Sequence, residues 1–364
     1  MTAPIRDLYA STVPTIEVGG ERVFSVLRDV LDLRVSIPAT GSRRLRLRLS
    51  AAPTGARADE TALLYLDGRL FDFGKDVAVL MGPADRQEKV FEGKISRIDA
   101  ILVQGRPAEV EIHAEDRLID LAMTRRTRTY EKATAGDLVR QVAAAHGLSA
   151  DVAVDGPQQA LVQQWNESDL GFLTTQLAAL GADLWFAAGQ LHACDRYERR
   201  ANALTLHAGA ELLSLGFSAD LAAQRSSVVM GGYDMNARES VAETSAAPDV
   251  ASLTRSGRSG LDLLSAAFGA RDTARRLAAV TASDEARALA KAAHRARTRR
   301  FVKVEALATI LPEIVCGARL TFEGAGEMFG GGGYVVTDAA HSFDRASGAT
   351  TFFCAERATV NGGS

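Results

Sequence analysis

From Arg44 to Leu49 arginine and leucine alternate residue by residue. The period of two in a β-strand puts Leu45, Leu47 and Leu49 on one face and Arg44, Arg46 and Arg48 on the other, whereas a helix would scatter both types round its circumference. The segment is a strand with one buried face, and such a strand requires neighbours of the same kind. They are present. Ala62–Leu66, Val77–Met81, Val90–Ile98 and Glu109–Ala114 are alternating or β-rich, with Asp67-Gly68 and Gly105-Arg106-Pro107 as turn formers between them. Short strands at this spacing predict a barrel or sandwich between about Thr15 and Leu121.

The pattern changes near Tyr130. Thr134-Ala-Gly-Asp137 opens a capped helix with Leu138, Val139 and Val142 on one face, closed by His146-Gly147. A second helix starts at Ser168-Asp169, carries Leu170, Leu173, Leu177 and Leu180 at spacings of three and four, and stops at Gly181. Asp183–Phe186 and Gln190–Ala193 then form a hairpin round Ala188-Gly189. A small α+β module results.

β patterning returns near Leu204, with Val228–Tyr233 as one strand of a second β region. It is interrupted by Asn236–Asp262, rich in Ser, Ala, Gly and Arg, which reads as an exposed or mobile excursion. Ser283-Asp284-Glu285 caps a helix whose end carries Arg295, Arg297, Arg299 and Arg300, the charge order that the helix dipole prefers. Phe301–Val304, Ala318–Phe322, Tyr334–Ala339 and Thr350–Cys354 are the remaining strands, with Gly330–Gly333 as a turn. The fold class is α+β, mostly β, with two similar β-barrel domains, a small α+β module between them and a helical excursion in the second barrel. The expected domains are residues 1–126, 127–202 and 203–364, with a partly helical insertion at about 236–300.

Composition narrows the function. A hydrophobic share of 47% with 24% charged residues is that of a globular protein, and a net charge of −3 supplies no general field for nucleic acid. Cys194, Cys316 and Cys354 lie far apart, without zinc or disulfide spacing, and read as small buried hydrophobes. Met1–Ala10 holds no apolar leader, and no apolar run reaches the roughly 20 residues of a membrane span. The chain is expected to be cytoplasmic on synthesis and not inserted in a membrane. His113, His146, His192, His207, His294 and His341 are dispersed, so no metal or cofactor site is expected. Glu167 and Asp169 could be a carboxylate pair for glycoside cleavage, but cap and turn roles account better for them. Gly324, Gly326 and Gly330–Gly333 have no following Lys-Ser/Thr and read as hairpin glycines, not a phosphate cradle. No catalytic residue is expected.

Three motifs in order carry a resemblance. Phe91-Glu-Gly-Lys-Ile95 is followed by Ile112-His-Ala-Glu-Asp116. Gln164-Trp-Asn-Glu-Ser-Asp169 is followed by Phe172-Leu173 and Ala178–Gly181. Gly317-Ala-Arg-Leu-Thr-Phe322 is followed by Gly333-Tyr-Val-Val336 and His341. Together they resemble the late control D family of phage tail hub proteins, itself similar to the hub portion of type VI secretion VgrG proteins. Leu311–Ile314 is a loose version of the family's approach to the last motif, and Gly330–Gly333 is richer in glycine than usual.

The resemblance implies a homotrimeric ring whose six barrels join a three-fold spike to a six-fold inner tube, with wedge proteins outside, in the baseplate of a virion or injection particle. Fused relatives continue into an OB-fold and a β-helical needle. No such repeat follows here, which implies a separate spike protein. Trp165, Asn166, Asp169 and Phe172 are the candidate partner or fold residues. The alternative is binding of peptidoglycan or another glycan by the LysM-like segment Thr134–Leu138, Val142, Ala143 and His146–Leu148.

Overall fold

The computed structural model describes residues 13–52, 63–83, 85–235, 237–277 and 280–362. The first part contains β1 (Thr15–Val18), β2 (Glu21–Arg22), β3 (Val30–Ile37), β4 (Arg44–Ser50), β5 (Asp76–Met81), β6 (Glu88–Ile101) and β7 (Glu109–Glu115). The middle part runs α1 (Ile119–Met123), β8 (Arg125–Ala133), α2 (Ala135–Ala145), β9 (Ser149–Ala153), β10 (Gln159–Ser168), α3 (Asp169–Ala179), β11 (Ala182–Ala187) and β12 (Gln190–Asp195). Then follow β13 (Ala203–His207), β14 (Leu212–Ala219), β15 (Ser227–Asp234), β16 (Glu239–Ser245), α4 (Ala247–Val250), β17 (Arg258–Ser259), α5 (Gly260–Phe268), β18 (Asp272–Arg276) and α6 (Ser283–Arg299). The last part is β19 (Val302–Thr309), β20 (Arg319–Glu323), α7 (Gly326–Phe329), β21 (Gly331–Asp344), β22 (Gly348–Arg357) and β23 (Thr359–Val360). The chain is α+β and mostly β.

β4 shows why the first part folds. Leu45, Leu47 and Leu49 are buried, while the intervening arginines meet acids on the flanking strands. Arg46 and Arg48 lie 2.8 and 2.7 Å from Asp32 of β3, and Arg48 and Arg44 lie 3.6 and 3.8 Å from Glu109 and Glu115 of β7. These solvated pairs contribute little stability each, and burial of the leucine face supplies the driving force. Gly93, in the first motif, packs against the neighbouring strand so closely that a Cβ would lie 2.1 Å from the Glu115 carbonyl oxygen. Only glycine leaves β6 free to approach there.

The two β-rich regions are one sheet. Among the described residues its main path runs β14-β19-β22-β21-β3-β4-β7-β6-β5-β1-β2, with β20 attached to β21 and β13 to β20. β21 joins β3 antiparallel, from Ala339 opposite Ile37 to Asp344 opposite Asp32. One continuous core follows, in which Leu33, Leu47 and Ile112 belong to the same apolar cluster as Val304, Phe322 and Phe353. The module has its own core, built from Leu118, Tyr130, Leu138, Phe172, Leu177 and Leu184 among others. No helix among the described residues is long and apolar enough to cross a membrane.

Several expectations need correction. Leu63–Leu66 is turn and irregular backbone, not strand, with Tyr65 at φ 68°; Ala62 lies outside the described residues. Val228–Tyr233 is a strand, but β15 pairs with β16 and β18 in a separate three-stranded sheet, against which α6 packs. The excursion is largely exposed, as expected, but it carries regular structure: β16, α4, β17 and the start of α5 occupy it, apart from Asn236, which lies outside the described residues. Strand pairing uses backbone groups, so it does not require the large apolar side chains that this segment lacks. Ser283 is not the cap of α6. Ala282 holds that position, and the backbone N–H of Thr281 donates to Glu285 instead. Gly331–Gly333 begins β21 and is not a turn. Cys194 and Cys316 are buried, whereas Cys354 is half-buried on β22.

His341 lies on β21 at the seam and is fully buried, with Nδ1 3.1 Å from Thr351 Oγ1. Burial, assisted by the positive charge of Arg43, lowers its pKa from 6.5 to about 4. The folded state therefore holds a neutral imidazole that the unfolded chain protonates between those two values. The contribution of His341 is complete above about pH 6.5 and falls by up to roughly 3 kcal/mol as pH drops toward 4, while Asp116, whose carboxyl burial raises to about 6, contributes a slope of opposite sign. Urea titrations across pH will isolate the His341 slope as the difference between the wild type and His341→Gln, a difference that shrinks as pH falls through that window.

Candidate functional site

The most specific motif lies where β10 passes into α3. β10 pairs antiparallel with β8, but the register shifts between Gln164, opposite Arg128, and Glu167, opposite Arg126. Trp165 and Asn166 thus occupy a bulge opposite Thr127, and Asn166 takes a left-handed φ of 41°, a conformation that asparagine tolerates better than most residues. Its N–H donates to Thr127 Oγ1 at 3.1 Å, and Arg125 donates to both its side-chain and backbone oxygens. The bulge turns Trp165 outward. Its ring is 70% exposed, and its Nε1–H donates to Gln163 Oε1 at 3.0 Å.

One turn later the chain goes inward. Ser168 caps α3 by accepting the Gly171 N–H at 3.1 Å, which places Asp169 in the first turn with its carboxylate fully buried. Gln164 Nε2 donates to Asp169 Oδ1 at 2.8 Å, while Arg126 Nε at 2.9 Å and His146 Nε2 at 2.8 Å meet Oδ2. Burial raises the pKa of this carboxyl, but the bonds from Gln164, Arg126 and His146 outweigh it and hold the value below the ordinary aspartate range. Gln164 also accepts from the Tyr130 hydroxyl at 3.2 Å. Phe172, on the inner face of α3, stacks on Tyr130 at 5.5 Å between centroids and 13° between planes. The constellation fastens β8, β10, the end of α2 and the start of α3 to one another.

The four candidate residues therefore divide. Asp169 and Phe172 are interior, while Asn166, which shapes the bulge, and Trp165 are both exposed. Asp169 is fully buried, with three donors on its two oxygens. His146 was read as the end of α2 and as part of the LysM-like segment, yet its ring reaches Asp169. Its position at the C-cap, where a side chain can fold back over the helix end, is the only signal the sequence offered. Trp165→Phe is expected to leave the urea midpoint within about 0.5 kcal/mol of wild type while removing the solvent-exposed component of tryptophan emission.

Elsewhere, cross-strand register brings Asp99, Glu111 and His113 together, with one potential ligand atom from each within 4.8 Å of the others. Dispersal of the histidines along the chain concealed this group. Arg97 is already paired with Asp99 at 2.8 Å, and His113 Nε2 lies 2.9 Å from Glu111. Three of the arginines near the end of α6 have partners within the chain. Arg295 pairs with Asp195, Arg300 with Glu356 at 3.2 Å, and Arg297 donates to the Ala223 carbonyl. Gly317, in the third motif, sits at φ 87° against Arg199, an arrangement that disfavours any other residue.

Comparison with solved structures places this fold among tail proteins. The 43 kDa tail protein of prophage MuSo2 from Shewanella oneidensis aligns with a TM-score of 0.69 at 12% identity, over 96% of this chain and 99% of the other. A tail protein from Neisseria meningitidis MC58 aligns with a TM-score of 0.64 at 12% identity, over 95% and 97%. The E. coli c3393 protein, a component of the type VI secretion system, aligns at 0.56 and 15% identity, over 90% and 73%. At these identities the likeness establishes the fold. No curated protein matches the sequence. The family model that matches is described as Alg8 N-terminal domain and not as late control D, and it spans residues 56–343. Since that match takes in well over half of the sequence, the chain belongs to the Alg8 N-terminal domain family.

Proposed function

We propose that the chain is a structural baseplate hub of late control D type, in a contractile phage tail or a related injection machine. The observation that carries this reading is the β21–β3 seam, through which one chain carries two β-rich regions side by side in one sheet over one core. A closed ring of three such chains has three equivalent positions for a spike and six near-equivalent ones for an inner tube. The likeness in fold to prophage tail proteins along nearly the whole chain supports it. In this reading residues 1–126 and 203–364 are the two tube-like barrel domains and 127–202 the module between them. The partners are two further copies, a separate spike, the inner tube protein and wedge proteins, and the assembled particle is the place of action. The chain acts by contact, without a catalytic residue.

Light scattering on the purified chain, alone and with the spike protein encoded beside it, tests this. A mass three times the 38.7 kDa of one chain is expected in at least one condition. A monomer in both sinks the ring, and saturable glycan capture by the segment at Thr134–Leu148 would then favour the carbohydrate-binding alternative.

A further inference from the structure

Where the chain leaves β12, the end of α6 and the strand β20 converge on Tyr197, and arginines outnumber acids there. Arg295 takes Asp195, and its other nitrogen lies 3.8 Å from Glu198. Arg200 reaches the same Glu198 at 3.6 Å on the exposed rim. Arg196 and Arg199 share Asp183 at 2.8 and 3.6 Å, and Arg300 takes Glu356. Those carboxylates are thus engaged by other arginines, and among the described residues neither Arg299 nor Arg319 has an ion pair.

Arg299 is 7% exposed, with its guanidinium carbon 5.0 Å from the Tyr197 ring centroid. Its Nε and one terminal nitrogen, the edge that a guanidinium offers to an oxyanion, are buried without a hydrogen-bond partner. Arg319 places a terminal nitrogen on the carbonyls of Tyr197 and Arg199 at 2.8 and 3.4 Å, but its Nε is likewise buried and without partner. Burial lowers the pKa of both groups. Tyr197 and Glu356 offset part of this for Arg299, while Arg295 and Arg200 add to it, and Arg299 and Arg200 do the same to Arg319, which falls to about 10. An unpaired buried guanidinium is costly, and water can satisfy its hydrogen bonds but not its charge.

We propose that Arg299 and Arg319 form a binding site for a small inorganic oxyanion of the phosphate or sulfate class, which links the end of the module, α6 and the large sheet. One such ion offers oxygens to both free edges and supplies the negative charge that the protein side of the junction lacks.

Thermal unfolding in increasing phosphate, with ionic strength held constant by chloride, tests the site. The wild type is expected to gain stability saturably, by on the order of 5 °C at a 100-fold excess over Kd, with sulfate equivalent and acetate weaker. Arg299→Met, which keeps the side-chain stem, and Arg319→Gln should each abolish the saturable part, while Arg297→Ala on the same helix retains it. Acetate as effective as phosphate would reassign the site to carboxylates and overturn the class proposed. A wild type that responds no more to phosphate than to chloride overturns the site itself. So does an undiminished response in Arg319→Gln, which decides the matter if Arg299→Met does not fold.

Discussion

Asp169→Ala will destabilise the middle module by about 3 kcal/mol, and its effect will be concentrated there. The substitution strands donors from three different elements: Gln164 of β10, His146 at the end of α2 and Arg126 of β8. Gln164 and His146 are buried enough for a lost partner to cost most of their desolvation, while Arg126, about a third exposed, recovers part of its loss from water. Both tryptophans of the chain, Trp165 and Trp185, lie in this module, so fluorescence-monitored urea unfolding will report the loss directly. Amide exchange should quicken in β8, β10 and α3 well before it does in β4 and β7. Equal acceleration in all of these would mean that the network supports the whole chain instead of the module. The acid limb supplies a second readout. The folded pKa of Asp169 lies below its unfolded value near 3.9, so its contribution is complete above that pH and is lost as pH falls through the folded pKa. Asp169→Asn should flatten this part of the stability curve and leave the His341 contribution, between about 4 and 6.5, unaltered.

What could be read in advance followed from periodicity, and what could not depended on partners. The Arg44–Leu49 alternation specifies both a strand and its buried face, because side-chain direction is a local property of extended backbone. The caps of α2 and α3 were legible for the same reason: Thr134 with Asp137, and Ser168, bond to amides three residues away. Val228–Tyr233 has strand character, but nothing local says that its neighbours are β16 and β18 instead of the large sheet. The interior role of Asp169 depends on His146, 23 residues away, and on Arg126, 43 away, pairings that only the tertiary fold creates. Asp99, Glu111 and His113 became a cluster through the register of β6 on β7, which depends on a bulge between Ile95 and Arg97 that the sequence does not announce. The arginines of α6 followed the dipole rule in their placement, yet their partners come from β12, β22 and the loop before β15.

Phe322→Ala will cost about 4 kcal/mol, and the loss will be felt on both sides of the seam. Phe322 is 1% exposed on β20 and touches three rings: Phe217 edge-on at 5.5 Å, Tyr334 edge-on at 4.9 Å and Phe353 in parallel planes at 6.4 Å. Removing it forfeits the transfer energy of a benzyl group and leaves a cavity that flanking strands cannot close without breaking their ladders. If two separate cores lay beneath the sheet, the damage would stop at β21. The apolar cluster instead runs from Phe322 and Phe353 to Leu33 and Leu47, and β21 is hydrogen-bonded to β3 over six residue pairs. A cooperative unit of this kind loses stability as a whole. Amide exchange in the variant should therefore accelerate together in β19, β22, β3 and β4, with a single lowered far-UV midpoint. Acceleration confined to β19 and β22 would show two independently stable halves that merely abut, and the β21–β3 seam would then be a contact surface instead of part of one folding unit.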